Sequence, residues 1–334
     1  MSRFTQQRLT IVYGLICAVF FLIVLFSGRS TYDTTEPKQL YRGKEYNEGD
    51  FLDLIKNTYG ESRVLDQICF NFLSCMEIRD DFVHFDGKRR IRRSAGNEVK
   101  LLTYGFLKLP EKLVKGMVDT SKWQIDFTTK PKSTAGALID EMFASGALSI
   151  TRNSNARVLT LGLGGGFLSS YLHNNFPQMS ITSVEIYEPI LKMAEKWFSL
   201  KTDQNYQVKL GDGVRYLKDA VQRGLQFDVV ILDACFIEAE EDVVCPSKVF
   251  LNDEPITNIA KLIGDQGLLT VNILPDSKYP KAVVDRINRA FLRHFKHSKT
   301  RHLDGTSNYI ATFSQFEHKG LYSELYKISE ITGQ

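Results

Sequence analysis

This sequence has little net charge, no glycosylation acceptor and no histidine set with metal-ligand spacing, and each absence narrows its class. Across 334 residues the formal net charge is only +3, too small for the broad positive field of a nucleic-acid-binding chain, so no nucleic-acid partner is expected. No Asn-x-Ser/Thr sequon occurs, which argues mildly against a secretory lumen. There is no internal repeat or low-complexity tract, so neither a repeat array nor a biased linker organises the chain. His294, His297 and His302 lack metal-ligand spacing and a nearby cysteine or acid cluster, and no metal is expected. His173 reads as a surface residue. Of five cysteines, Cys69 and Cys75 are close enough to pair in an oxidising compartment, or equally to stay as buried thiols. Cys235 has no histidine partner and reads as a buried thiol rather than a nucleophile. A hydrophobic content of 43% and a charged content of 24% are ordinary for a globular protein with a sizeable core.

One long apolar run is present. Leu9 to Phe26, LTIVYGLICAVFFLIVLF, carries no charge and would span roughly 27 Å as a helix. It predicts a transmembrane anchor over 9–27 after a short 1–8 tail; a cleaved signal peptide is the rival, opposed by the long apolar core and the poor Phe26-Ser27-Gly28 cleavage site. Basic residues flank both ends, so the side of the membrane stays open. Residues 28–60 show little periodicity and read as a stem. Residues 61–130 form a β-rich lead-in with a hairpin signal at Asp86-Gly87. The basic cluster Lys88, Arg89, Arg90, Arg92 and Arg93 reads as a solvated hairpin face.

Arg157 to Glu185, RVLTLGLGGGFLSSYLHNNFPQMSITSVE, is the organising stretch. It reads as strand, glycine turn, helix, strand. Gly162, Gly164 and Gly166 let the backbone turn and approach a ligand closely, and Glu185 ends the second strand where such folds hold ribose hydroxyls. A dinucleotide fingerprint would need glycine at Phe167. Ser133 to Ile150 predicts a preceding helix. Helices at 189–200, 214–222, 248–263 and 281–294 alternate with strands at 206–210, 227–232 and 268–273, and a hairpin of 295–302 with 309–313 closes the series. This is an α/β, doubly wound, mostly parallel sheet over 131–316, followed by a 317–334 tail. Asp212 and Gly213, in Gly211-Asp212-Gly213, and Asp233, in FDVVILDACF, fall at further strand ends. Against each stands the plain alternative of a helix cap or turn.

The glycine turn, downstream acid, GDG, FDVVILDACF, CPSKVFL and GLLTVNIL together resemble class I S-adenosylmethionine-dependent methyltransferases of the spermidine synthase-like branch. They are similar above all to the C-terminal domain in the family of dual methyltransferases acting on elongation factor 1 alpha. The resemblance covers roughly 133–315 and implies a seven-stranded Rossmann-like sheet, S-adenosylmethionine as cofactor and methylation of a protein amine. A homodimer is also expected. By this resemblance Gly162, Gly164 and Gly166 hold the amino-acid end of the cofactor, Glu185 the ribose, and Asp212 with Gly213 the adenine. Asp233, beside the methyl position, orients or deprotonates the acceptor. Glu238, Glu240, Glu241 and Asp242 either attract a cationic acceptor or form a solvated turn. Spermidine synthases resemble the chain too, but their second acid after the fourth strand is replaced here by Phe236, and their Tyr-Gln before the first strand is absent. Aminopropyl transfer is thus the alternative. A third reading, an inactive scaffold, notes Thr160 where many methyltransferases carry an acid.

Overall fold

The computed structural model describes residues 44–69, 75–97, 101–130, 132–235 and 242–332. The apolar run Leu9 to Phe26 and the residues Glu238, Glu240 and Glu241 lie outside them. Among the described residues, no helix is long and apolar enough to cross a membrane.

A helix, α1 (Glu48–Tyr59), stands where the sequence reading has an irregular stem. Asn47 caps it by accepting from the Asp50 N–H, and Phe51, Leu52 and Ile55 are buried. Those three positions share one helical face, a single short stripe surrounded by polar residues. Phe51 stacks on Trp123 at a centroid distance of 6.0 Å. Four antiparallel strands follow in sequential order, β1 (Ser62–Cys69), β2 (Cys75–Phe85), β3 (Lys88–Gly96) and β4 (Leu101–Phe106). The predicted hairpin between β2 and β3 is present, with positive φ at both Asp86 and Gly87, the backbone of a type I′ turn. Cys69 and Cys75, paired across β1 and β2, are disulfide-bonded.

The basic cluster on β3 is not a solvated face. Arg89 pairs with Asp53, Arg90 with Asp126, Arg92 with Asp81 and Arg93 with Asp80. Arg93 is 1% exposed. It grips both Asp80 oxygens and also donates to the carbonyls of Thr120, Trp123 and Trp197. A buried cation needs such a set of acceptors, and here they tie the small sheet to the larger domain. The sheet's last strand lies over the glycine turn. A Cβ at Gly165 would meet the Thr103 side chain at 2.8 Å, and one at Gly105 would meet Ile125 at 2.9 Å and Phe167 at 3.2 Å.

The larger domain begins with α2 (Thr134–Ala144), shorter than the sequence suggests because Gly146, at φ 84°, turns the chain out of the helix. Its strands and helices run β5 (Arg157–Leu161), α3 (Phe167–Asn175), β6 (Ser180–Glu185), α4 (Glu188–Trp197), β7 (Tyr206–Leu210), α5 (Gly213–Gln222) and β8 (Val229–Leu232). Then come β9 (Val243–Cys245), α6 (Asp253–Ile263), β10 (Leu268–Pro275), α7 (Pro280–Phe291), β11 (His297–His302) and β12 (Tyr309–Ser314). The predicted helix at 248–263 is split into a 3-10 turn, Lys248–Leu251, and α6. The sheet order is β11-β12-β10-β8-β5-β6-β7, with β9 paired to β10. Strands β7, β6, β5, β8 and β10 are parallel, whereas β12 is antiparallel to both its neighbours. Successive residues of β8 face opposite cores: Val229 and Ile231 join one apolar cluster, Val230 and Leu232 the other, as the two-residue period of a strand buried on both faces requires. The 317–334 stretch is not a loose tail. Its described part, 317–332, includes α8 (Tyr326–Thr332) with Ile328 buried, and Tyr322 and Arg301 both bond Glu141 on α2, each at 2.6 Å.

Candidate functional site

In an open parallel sheet the strand ends leave a crevice, and the chosen residues gather there. The turn after β5 carries positive φ at Gly162 (95°), Gly164 (54°) and Gly166 (71°), a conformation that favours glycine at each. Close packing adds a second requirement at Gly162, where a Cβ would lie 2.4 Å from the carbonyl oxygen of Asp233. The first glycine therefore lets the ends of β5 and β8 touch. Gly164 is less tightly packed: a Cβ there would meet only the Thr103 side chain, at an ordinary contact distance of 3.9 Å, so its φ of 54° is what favours glycine.

Glu185 closes β6 and is 7% exposed. Its Oε2 accepts from the N–H of Leu163 at 3.0 Å and its Oε1 from that of Tyr187 at 2.9 Å. The acid is thus fastened to the glycine turn itself. Burial pushes its pKa above the usual carboxylate range, partly offset by those backbone donors. Ile186, the next residue, is 57% exposed, an apolar side chain that the sequence reading did not select; its signal is its place directly after a strand-end acid.

Asp212 does what helix-capping aspartates do. Its Oδ1 accepts from Val214 N–H at 2.7 Å and Arg215 N–H at 3.1 Å, starting α5. The capping alternative is therefore realised, on an exposed residue, beside the expected adenine end. The Gly211 N–H bonds the Glu185 carbonyl at 2.8 Å, which places this loop next to Glu185. At Gly213 a Cβ would meet the Phe250 ring at 2.9 Å, so glycine is needed for packing there.

Asp233 follows β8, its N–H held by the Leu161 carbonyl at 2.9 Å. Asn272 on β10 donates its Nδ2 to Asp233 Oδ1 at 2.7 Å. Burial pushes the Asp233 carboxyl up to about 6, with the Asn272 bond acting against it. A carboxyl in that range lies close to neutral pH, where proton-exchanging groups are commonly tuned. Cys235 is not a free thiol: it is bonded to Cys245, which β9 brings alongside. Its sulfur lies 3.7 Å from Asp233 Oδ1, so the disulfide forms one wall beside the acid.

Other candidates stand apart. His173 is half-buried rather than on the surface, 3.3 Å from Asp203 and tilted against Tyr206. His294 bonds Asp253 at 2.9 Å, and Asp242 forms a two-point pair with Arg286 at 2.7 and 2.9 Å. Thr160 joins a buried hydroxyl cluster with Ser183 at 2.7 Å and Ser169 at 3.4 Å, occupying with neutral groups the place of an acid.

A left-handed glycine turn, an anchored acid and a carboxyl of raised pKa at neighbouring strand ends suit a nucleoside-bearing ligand, and the fold carrying them is shared with solved structures. Human methyltransferase-like protein 13, solved in complex with SAH, covers 61% of this chain and 91% of its own, with a TM-score of 0.52 at 20% identity. The fold is that of class I methyltransferases. By sequence, the eEF1A lysine and N-terminal methyltransferase homolog of Drosophila pseudoobscura pseudoobscura is 36% identical over 117 residues, 35% of this chain and 17% of that protein. The polyamine aminopropyltransferase of Vibrio vulnificus (strain CMCP6) is 30% identical over 122 residues, 36% of this chain and 39% of that one. The matched stretch thus spans less than a fifth of the first relative and under half of the second. No protein-family profile matches the chain. The spermidine synthase-like class I resemblance read from the glycine turn and strand-end acids agrees with both relatives.

Proposed function

We propose that this chain is an S-adenosylmethionine-dependent methyltransferase acting on a protein amine, and that residues 9–27 anchor it as a single-pass membrane protein. The observation that carries the reading is the bond between Glu185 Oε2 and the Leu163 N–H, which joins the ribose-type acid to the glycine turn. A turn with positive φ at Gly162, Gly164 and Gly166, a buried carboxylate for hydroxyl donors and an exposed apolar Ile186 fit the cofactor's amino-acid, ribose and adenine parts. Gly162, Gly164, Gly166, Glu185, Asp212 and Gly213 would hold it. When bound, the cofactor supplies an electrophilic methyl group on sulfur. The chain's own task is then to align the acceptor and accept its proton, a gain from proximity and general-base catalysis assigned to Asp233. Aminopropyl transfer is disfavoured because Phe236 stands where a second acid would hold a diamine.

The named relatives suggest an elongation factor as acceptor. The pairing of Cys69 with Cys75 and Cys235 with Cys245 supports a second reading, in which the domain faces an oxidising compartment and meets other proteins. The test is incubation of the full chain with methyl-labelled S-adenosylmethionine and either elongation factor 1 alpha or a lumenal protein extract, read by mass spectrometry. Label on lysine or an N-terminus, lost with Asp233→Asn, is the expected result. Transfer only from decarboxylated S-adenosylmethionine to a diamine, or no transfer at all, overturns it.

A further inference from the structure

We propose that Asn272 and Asn308 form a positioning relay that fixes the Asp233 carboxylate for proton transfer. The inference rests on the methyl-transfer reading of this site and extends it to two residues on different strands. Asn272 is 4% exposed in the middle of the apolar strand β10, where an unpartnered amide would be costly. Its Nδ2 donates to Asp233 Oδ1 at 2.7 Å, and its Oδ1 accepts from Asn308 Nδ2 at 2.8 Å. A primary amide has a donor end and an acceptor end. With the acceptor end taken by Asn308, the donor end must face the acid.

Asn308 is itself held in the turn before β12. Its N–H donates to Thr306 Oγ1 at 3.0 Å, and its carbonyl accepts from Leu303 N–H at 2.9 Å. The terminal hairpin thereby reaches the site through one amide. Because Oδ1 of Asp233 is engaged by Asn272, Oδ2 is the oxygen left to meet an acceptor amine. Among the described residues no charged side chain shifts Asp233; Asn272 alone offsets its burial. The sulfurs of Cys235 and Cys245 are joined and do not titrate.

A donor to a carboxylate stabilises its charged form, so losing the donor raises the midpoint of titration. The experiment is a carbon-13 NMR titration of carboxyl-labelled aspartates in the full chain, with Asp233 assigned by its disappearance in Asp233→Asn. Asn272→Ala should move the midpoint up by about 1 pH unit, the size of one hydrogen bond to a charged group. Asn308→Ala, a change in a hairpin turn that leaves β10 intact, should move it in the same direction by about half as much. A merely structural Asn308 would leave the midpoint in place, and that result overturns the relay even if Asn272→Ala fails to fold. In parallel, the alkaline-rising limb of methyl transfer should move with the midpoint. Shifted midpoints without transfer by the unaltered chain would uphold the relay and sink the methyltransferase reading, whereas transfer with unshifted midpoints would do the reverse.

Discussion

Replacing Asp233 with asparagine should stabilise the fold at neutral pH while abolishing transfer. The carboxyl is pushed from 3.8 to about 6 by burial, so the fold favours its protonated form. The stability Asp233 contributes is fully present below about pH 4 and is lost as pH rises through about 6. At about 1.4 kcal/mol per pH unit, the ionised acid costs at most about 3 kcal/mol above that window. Asparagine copies the neutral acid in shape, and its Oδ1 can still accept from Asn272. Urea unfolding of both proteins between pH 4 and 8 isolates the effect, since every other group titrates alike in the pair. With an m-value near 3 kcal/mol/M, the variant's midpoint should exceed the parent's by up to about 1 M at pH 7 and converge with it near pH 4. A difference that stays flat with pH, or an asparagine variant less stable at pH 7, would refute the assignment of a half-buried, destabilised carboxylate.

Three further outcomes follow from the packing. Asp80→Ala leaves Arg93 buried with carbonyls alone and should destabilise the protein by about 3–5 kcal/mol; Asp80→Leu combined with Arg93→Met should recover most of that, measured by urea midpoints. Gly162→Ala, forced to φ 95° and 2.4 Å from the Asp233 carbonyl, should cost about 1–3 kcal/mol and weaken cofactor binding at least tenfold by calorimetry. Cys235→Ser with Cys245→Ser opens a short covalent loop and should lower stability by about 2–3 kcal/mol, read by urea midpoints without reductant so that the Cys69–Cys75 bond stays closed in both proteins.

What could be read from the sequence was local. The βαβ order around Gly162 to Glu185, the strand-end acids and the closing hairpin follow from periodicity and turn chemistry within short windows, and the structure places them so. Interactions made across the fold were not legible. Arg93 reads as a surface charge until β2 brings Asp80 opposite it, and Cys235 reads as a lone thiol until β9 pairs with β10 and delivers Cys245. Asn272 gives no signal inside LLTVNILP, since its role depends on β8 on one side and the β12 hairpin on the other. The helix Glu48–Tyr59 had a readable face at Phe51, Leu52 and Ile55 and a capping Asn47, but its short stripe was outweighed by polar surroundings. Asp212 shows the converse: its position was legible, yet its Oδ1 is committed to the helix cap.

The central claim, that the glycine turn and Glu185 form a cofactor site for S-adenosylmethionine, is tested most directly by calorimetric titration of the full chain with that ligand, with decarboxylated S-adenosylmethionine and a Glu185→Gln variant as comparisons. The account predicts binding of the first ligand at micromolar or tighter affinity, weaker binding of the second, and a loss of at least tenfold in the variant, in line with one charged hydrogen bond removed. Preference for the decarboxylated ligand, or binding indifferent to Glu185, would contradict it.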